Sequence, residues 1–234
     1  MFKKIAMLML VGGVGIMVLA GCSLKSSRRF IEGKAAELSK VYPTENLEDL
    51  FEKFPDGFRI QSDDLYDYKE GEGYLFQSVK LRGDGETKKI IGTIVSEKIT
   101  SNGTKAPTVE KVYEGGVVYK DGMIQLMDSQ ANVMIRNPKL LLQEFTINKD
   151  ILSRLKMGGK GYSVETGSAD IDYTITEPIV NNYMRVEQDK ELKMIFYIMS
   201  GTVENKAYSY TFEIKDGHNS HAEIISGGKT NGVR

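Results

Sequence analysis

The stretch Tyr74-Leu75-Phe76-Gln77-Ser78-Val79-Lys80-Leu81 decides the fold. Apolar side chains recur at every second position, beginning with Tyr74 and Phe76 and continuing after a slip of one residue. This period of two predicts a β-strand. Gly83-Asp84-Gly85 follows and predicts a hairpin turn, and the run from Lys88 to Ile99 predicts the returning strand. Because the connection is too short for a crossover, the two strands must pair in antiparallel fashion.

The same alternation of apolar runs and turn residues continues along the chain. Further strands are predicted at Val109–Tyr119, Met123–Met127, Ser168–Thr176, Leu192–Val203 and Tyr208–Ile214. Helical spacing predicts helices at Phe30–Tyr42, 47–54, Lys149–Met157 and Pro178–Gln188. The fold class that follows is α+β: a largely antiparallel sheet, made of a meander and a C-terminal hairpin, with two N-terminal helices and short inserted helices.

The first residues have the parts of an export signal. Lys3 and Lys4 give a basic start, and an uncharged apolar stretch runs from Ile5 to Ala20. The stretch ends in Leu19-Ala20-Gly21-Cys22, which matches the lipobox of bacterial lipoproteins. An uncleaved anchor is disfavoured because the stretch is shorter than the roughly 20 residues of a membrane span. An ordinary secretory signal would leave the position of Cys22 to chance.

The sequence divides into four segments. These are a signal peptide at 1–21, a lipidated tether at 22–29, a globular domain at 30–216 and a flexible polar tail at 217–234, with two lobes divided near 137–161 as an alternative to one continuous sheet. The sequence leaves both arrangements of the globular domain open.

Charge and cysteine content exclude some functions. The net charge is −1, and it becomes −3 once Lys3 and Lys4 are removed with the signal peptide. A chain without a basic stripe is not typical of nucleic-acid-binding proteins. Cys22 is the single cysteine, so no disulfide stabilises the domain and its core must do so.

The run Val41-Tyr42-Pro43-Thr44-Glu45-Asn46-Leu47-Glu48-Asp49-Leu50-Phe51 resembles a segment of the staphylococcal tandem lipoprotein family. The lipobox, the helical start and the later order of strands are similar as well. The resemblance implies a surface lipoprotein in which Cys22 carries S-diacylglycerol and an N-acyl chain such as palmitate. It implies that the signal peptidase recognises Leu19, Ala20 and Gly21. No catalytic residues are known for that family, so it supplies none.

Two histidines and a cluster of acidic residues are the candidate metal-binding or catalytic residues of the chain. His218 and His221 are spaced like metal ligands, but a zinc site needs three or four ligands and these two lie in a predicted polar tail. A nucleophile needs a base within reach, and Cys22 is used by the lipid. The acidic cluster could bind calcium, although a solvated loop is favoured because the spacing is not that of an EF-hand. That cluster comprises Asp63, Asp64, Asp67, Glu70 and Glu72.

Three weaker patterns are interpreted structurally. Gly158-Gly159-Lys160-Gly161 lacks the spacing of a phosphate loop and predicts a helix stop. Asp170 and Asp172 share one face of a predicted strand, which is expected to be its solvent face. Tyr74 and Phe76 are expected in the core, with Tyr66 and Tyr68 at the surface.

The expected function is that of a lipid-anchored surface protein on the extracytoplasmic face of the cell membrane. It would act by interaction with host proteins, innate receptors or envelope partners, without catalysis, cofactor or metal. Two alternatives stay open, a small-ligand-binding lipoprotein and an envelope enzyme or enzyme inhibitor. A deep apolar pocket with converging polar groups would favour the first, and carboxylates with shifted pKa values in a cleft would favour the second.

Overall fold

The structure, a computed structural model, describes residues 26–69, 73–102, 105–198, 208–217 and 219–227. Its dominant feature is one antiparallel sheet of ten strands in the order β5-β4-β3-β2-β1-β10-β9-β8-β7-β6. The strands are β1 Gly57–Lys69, β2 Gly73–Asp84, β3 Ile90–Asn102, β4 Lys105–Lys120, β5 Met123–Leu126, β6 Lys156–Tyr162, β7 Ala169–Ile175, β8 Leu192–Ile198, β9 Tyr208–Asp216 and β10 Asn219–Gly227. The α+β class is confirmed, with the sheet as the larger part.

The sheet consists of two meanders joined along one central seam. β1 to β5 pair in chain order, β6 to β10 do the same, and β1 pairs with β10 to join the two halves. At the seam, Ile60 lies opposite Ile225 on one side and Leu81 on the other, and all three side chains are buried. The two strand-rich blocks of the sequence therefore form one continuous sheet.

One face of the sheet is apolar and covered, and the other is polar. In β7 the side chains of Ala169, Ile171, Tyr173 and Ile175 are buried, while Asp170 is exposed on the opposite face. This confirms the alternation predicted for the strand and the assignment of its aspartates to the outer face. An antiparallel sheet with one solvated face has this pattern.

The helices are shorter than expected. They are α1 Arg28–Ala35, α2 Leu50–Lys53, α3 Lys149–Arg154 and α4 Pro178–Met184, with 3₁₀ turns at Ala36–Lys40, Leu47–Asp49 and Leu141–Gln143. Asn148 caps α3 as predicted, since its Oδ1 accepts from the backbone N–H of Ile151 at 2.9 Å. Pro178 opens α4 in the first turn, where its missing N–H costs nothing.

The first helix packs on the covered face near β7 and β8. Ile31 and Ala35 are fully buried there. Glu32 accepts hydrogen bonds from Arg28 Nε at 2.7 Å and from the Tyr173 hydroxyl at 3.0 Å, which joins the helix to β7. Burial raises the pKa of Tyr173, and the nearby Glu32 carboxylate raises it further, so the phenol stays a donor.

Turn residues occupy the conformations that their sequence predicts. Asp121 and Gly122 both have positive φ, at 55° and 79°, and they close the hairpin between β4 and β5. Two positive φ values are typical of the type I′ turn, whose twist matches that of paired strands. The predicted turn at Lys120-Asp121-Gly122 is confirmed.

Three strands were not predicted. Residues 219–227, expected to be part of a flexible tail, form β10 at the centre of the sheet. The segment 57–69, expected to end in an acidic loop, forms β1. Gly158-Gly159-Lys160-Gly161, expected to stop a helix, lies in β6, because α3 already ends at Arg154. Among the described residues, no helix has the length and apolar character of a membrane span.

Candidate functional site

A buried histidine lies between two carboxylates at the seam of the sheet. The register of β1 and β10 places His221 opposite Asp64, and Glu223 is two residues further on the same face. His221 Nδ1 lies 3.0 Å from Asp64 Oδ1, and Nε2 lies 3.3 Å from Glu223 Oε1. His221 and Glu223 are completely buried and Asp64 is nearly so.

Both ring nitrogens of His221 have an anionic acceptor, which determines its protonation. Burial alone would lower the pKa of His221, but Asp64 and Glu223 outweigh that effect and raise the pKa to about 9. At neutral pH the ring is therefore an imidazolium that donates to both carboxylates. The attraction between this buried cation and its two carboxylates offsets much of the free-energy cost of removing their charges from water.

Glu223 also holds segments that are distant in sequence. Its Oε1 accepts from the backbone N–H of Leu141 at 2.6 Å. Its Oε2 accepts from the Tyr42 hydroxyl at 2.6 Å and from the N–H of Leu142 at 3.1 Å. Burial raises the pKa of Tyr42, and the Glu223 charge adds to the rise. One carboxylate thus connects β10, the end of the N-terminal helical segment and the 3₁₀ turn at Leu141–Gln143.

His221 and Asp64 belong to a longer buried line of polar side chains. The register continues from Asp64 to Gln77 of β2 and from Gln77 to Ser96 of β3. We call these four residues, His221, Asp64, Gln77 and Ser96, the polar row. Gln77 Nε2 donates to Ser96 Oγ at 3.0 Å, and every member of the row is buried.

The polar row is covered by the irregular segment 128–148, which we call the strap. Gln77 donates to the Met134 carbonyl at 3.1 Å and accepts from the Arg136 N–H at 2.7 Å. Asn137 Nδ2 donates to Asp64 at 3.2 Å. These side chains supply the hydrogen bonds that an irregular segment lacks, since buried backbone groups need partners.

Arg136 lies at the edge of the site, and its side chain is largely buried. The Arg136 guanidinium lies over the Tyr66 ring at 3.8 Å and 4.0 Å from Asp64 Oδ1, and it donates to the Met184 carbonyl at 3.3 Å. Burial lowers the pKa of Arg136, although Asp64 acts in the opposite sense. A guanidinium stacked on an aromatic ring and near a carboxylate is well placed to hold the strap against the sheet.

The arrangement is suited to holding the fold together and not to proton transfer with a bound molecule. A general base must reach the proton that it removes, whereas His221 is enclosed and both of its nitrogens are occupied. The same enclosure applies to Glu223. The ionisable side chains of this site therefore hold the strap against the two central strands, β1 and β10.

The sequence-predicted site residues fall in several places. His221 is in the core, which the polar character of residues 217–234 did not suggest. Asp63 and Asp67 lie on β1 beside the buried Asp64. Tyr74 and Phe76 are half-buried, and Tyr68 is exposed as predicted. Outside the described residues lie Leu19, Ala20, Gly21, Cys22, Glu70, Glu72 and His218.

The acidic residues and histidines that the structure describes include no group of three or more that could hold a metal ion. One groove among the described residues has a volume of about 630 Å³ and is open to solvent. Phe54, Tyr208, Lys40 and Lys53 line it, and no residue of the polar row does. The groove and the buried histidine are thus separate features.

Comparison with known proteins gives a structural similarity of low degree. No family model matches the sequence, and no curated protein matches it. Among solved structures, the crystal structure of LprF from Mycobacterium bovis is similar with a TM-score of 0.37 and 8% sequence identity, over 86% of this chain and 95% of that chain. Similarity at this level assigns neither a family nor a function. The resemblance to the staphylococcal tandem lipoproteins stays a prediction from sequence.

Proposed function

We propose that this protein is a bacterial lipoprotein, anchored by lipid on Cys22 to the extracytoplasmic face of the cell membrane, that acts by binding a partner. The observation that carries the proposal is the sequence Leu19-Ala20-Gly21-Cys22 at the end of an apolar stretch, directly ahead of the folded domain. The first helix begins at Arg28, so only a short tether separates the modified cysteine from the domain.

The anchor follows from the number of acyl chains. One chain holds a protein to a bilayer only marginally, whereas two chains hold it stably. Diacylglycerol on the Cys22 thiol supplies two, and an N-acyl chain would add a third. The signal peptide, residues 1–21, would be removed when Cys22 becomes the first residue.

The chemistry of the described residues supports binding over catalysis. His221 is fully buried and committed to Asp64 and Glu223. Cys22, the single cysteine of the chain, would carry the lipid. The domain would therefore present a stable polar outer face to its partner. Host-cell proteins, innate receptors that bind the lipid and envelope components are the partners that the resemblance to the staphylococcal tandem lipoproteins implies.

Cell fractionation tests the proposal. Wild type, Cys22→Ala and the control Ser23→Ala are expressed in a bacterium that lipidates exported proteins, and intact cells are treated with a protease. Wild type and Ser23→Ala should be found with the membrane and be cleaved from outside. Cys22→Ala should accumulate as unprocessed precursor or be released. The proposal fails if Cys22→Ala is processed and retained in the membrane like wild type.

A further inference from the structure

Basic side chains surround the point where the chain enters α1. The Arg28 Nη2 atom lies 3.5 Å from the carbonyl oxygens of Leu152 and Ser153 and 3.3 Å from that of Leu155. These carbonyls lie at the end of α3, where cations are favoured by the helix dipole. The end of α3 and the start of β6 are therefore held beside the first turn of α1.

Four further cations lie around this contact. Arg29 follows Arg28 on α1, Arg154 and Lys156 flank Leu155, and Lys160 Nζ donates to the Ser26 carbonyl at 2.5 Å. All four are exposed, and none forms an ion pair with another residue that the structure describes. Lys156 lies opposite Thr174 and Lys160 lies opposite Ile171, so these two side chains project on opposite sides of the edge strand β6. We call Arg29, Arg154, Lys156 and Lys160, which are grouped around this edge, the tether face.

Two of the nearest carboxylates are already paired with other cations, whereas Asp170, opposite Gly161 of β6, is exposed and forms no ion pair with a residue that the structure describes. Glu32 is bonded to Arg28 at 2.7 Å, and Asp172 of β7 is paired with Lys193 at 3.3 Å. Asp150 is exposed in the first turn of α3, the end of that helix opposite to Arg154. The tether face therefore keeps an excess of positive charge within a chain whose net charge is negative.

The length of the tether sets how far this face can be from a membrane. Ser26 is four residues after Cys22, and four residues span at most about 14 Å when extended. Charges interact over about 8 Å at physiological ionic strength. This step rests on the proposed function, because it is the lipid on Cys22 that would fix the start of the tether at the bilayer.

We propose that the tether face binds the anionic headgroups of phospholipids, so that the domain is held with this side on the bilayer. Guanidinium and ammonium groups form charge-assisted hydrogen bonds with phosphate oxygens. Anionic headgroups attract basic segments next to a membrane anchor. The opposite end of the sheet, at β4 and β5, then faces outward for a partner.

Vesicle binding by a protein without lipid tests this proposal. The mature chain carrying Cys22→Ala is mixed with vesicles of phosphatidylglycerol or of phosphatidylcholine at low salt, and the bound fraction is measured by flotation. Binding should require phosphatidylglycerol. Arg154→Ala with Lys156→Ala should weaken binding about 25-fold, since each lost cation costs about fivefold.

A matched control removes the same charge elsewhere. Lys80 and Lys120 are exposed on β2 and β4, in the other half of the sheet. Lys80→Ala with Lys120→Ala should keep binding within about twofold of the parent. The proposal is overturned if the parent binds both vesicle types equally, if it binds neither, or if the two double variants are weakened to the same extent.

The outcome is independent of the anchor. Since the tested protein carries no lipid, binding to phosphatidylglycerol does not report on modification of Cys22. Loss of lipidation in cells with retained vesicle binding would refute the proposed anchor and leave the tether face in place. Lipidation of Cys22 in cells, together with no binding to vesicles, would support the proposed anchor and refute the role of the tether face.

Discussion

Raising the pH should destabilise the protein through a single buried histidine. His221 donates from both ring nitrogens to Asp64 and Glu223 in the folded chain, and its pKa there is about 9 against 6.5 for an exposed histidine. Because the folded chain binds the proton more tightly, its stabilisation is complete below pH 6.5 and is lost as the pH rises through 9.

The size of the effect follows from the two pKa values. A histidine whose pKa rises from 6.5 to about 9 on folding stabilises the folded chain by about 2–3 kcal/mol at pH 7 and by almost nothing at pH 10. This is a large fraction of the 5–15 kcal/mol that is typical of a folded domain. Other groups titrate in the same range, so the contribution of His221 must be isolated with a variant.

Urea unfolding followed by circular dichroism measures the effect in wild type and in His221→Gln. Glutamine keeps an N–H donor and cannot take up a proton, so lysines and tyrosines titrate alike in both proteins. Between pH 7 and pH 10 wild type should lose about 2–3 kcal/mol more than the variant. At pH 7 the variant should already be less stable, by about 3–5 kcal/mol, because its two carboxylates lose their shared cation.

If the free energy of unfolding depends on pH equally in wild type and in His221→Gln, protonation of His221 does not stabilise the folded chain. An NMR titration of the His221 ring gives a direct check on the cause. If the ring loses its proton near pH 6.5, the carboxylates do not stabilise its charge and the hydrogen-bond arrangement is wrong.

Three other substitutions test separate parts of the structure by urea unfolding. Tyr42→Phe removes a donor to the buried Glu223 carboxylate and should cost about 1.5–3 kcal/mol, with an unchanged midpoint contradicting that contact. Asn148→Ala removes the cap of α3 and should cost about 1 kcal/mol, whereas no loss would show that the cap is not formed. Gly92→Ala directs a Cβ into the Lys80 carbonyl oxygen and should cost at least 1–3 kcal/mol. Its control Gly33→Ala, in open space on α1, should stabilise by about 0.5–1 kcal/mol, and similar effects of the two would contradict the packing of β2 and β3.

The sequence predicts those strands whose buried face is entirely apolar. In β7 every inward position is an apolar or aromatic residue, so the alternation identifies both the strand and its faces. The turn at Asp121 and Gly122 is predicted for a similar local reason, because few residues adopt a positive φ. Signals of this kind depend on neighbouring residues alone.

The two strands of the central seam, β1 and β10, are not predicted from hydrophobic periodicity because polar side chains point inward there. In β1 the inward side chains change from Phe58 and Ile60 to Asp64, and in β10 they include His221 and Glu223. Each strand alone resembles a solvated segment. The charges become compatible with the core only when the two strands pair, and that pairing joins residues more than 150 positions apart. A periodicity search cannot detect such compensation.

The edge strand β6 is not predicted from the sequence for a different reason. Gly158 and Gly159 have no side chain, so they do not indicate which face of the strand is buried. The bulge between Met157 and Gly159 also shifts the register. A Cβ on Gly158 would meet the Asp172 carboxylate, so this glycine lies close to a side chain of β7 and does not mark a helix end. The candidate site was missed with β1 and β10, since it consists of the polar row that these strands bring together.

Intact-mass analysis of the protein purified from cell membranes tests the central claim most directly. Wild type should have lost residues 1–21 and should carry the added mass of diacylglycerol on Cys22, whereas Cys22→Ala should show neither change. A wild-type protein that keeps residues 1–21, or that begins at Cys22 without lipid, would contradict the account.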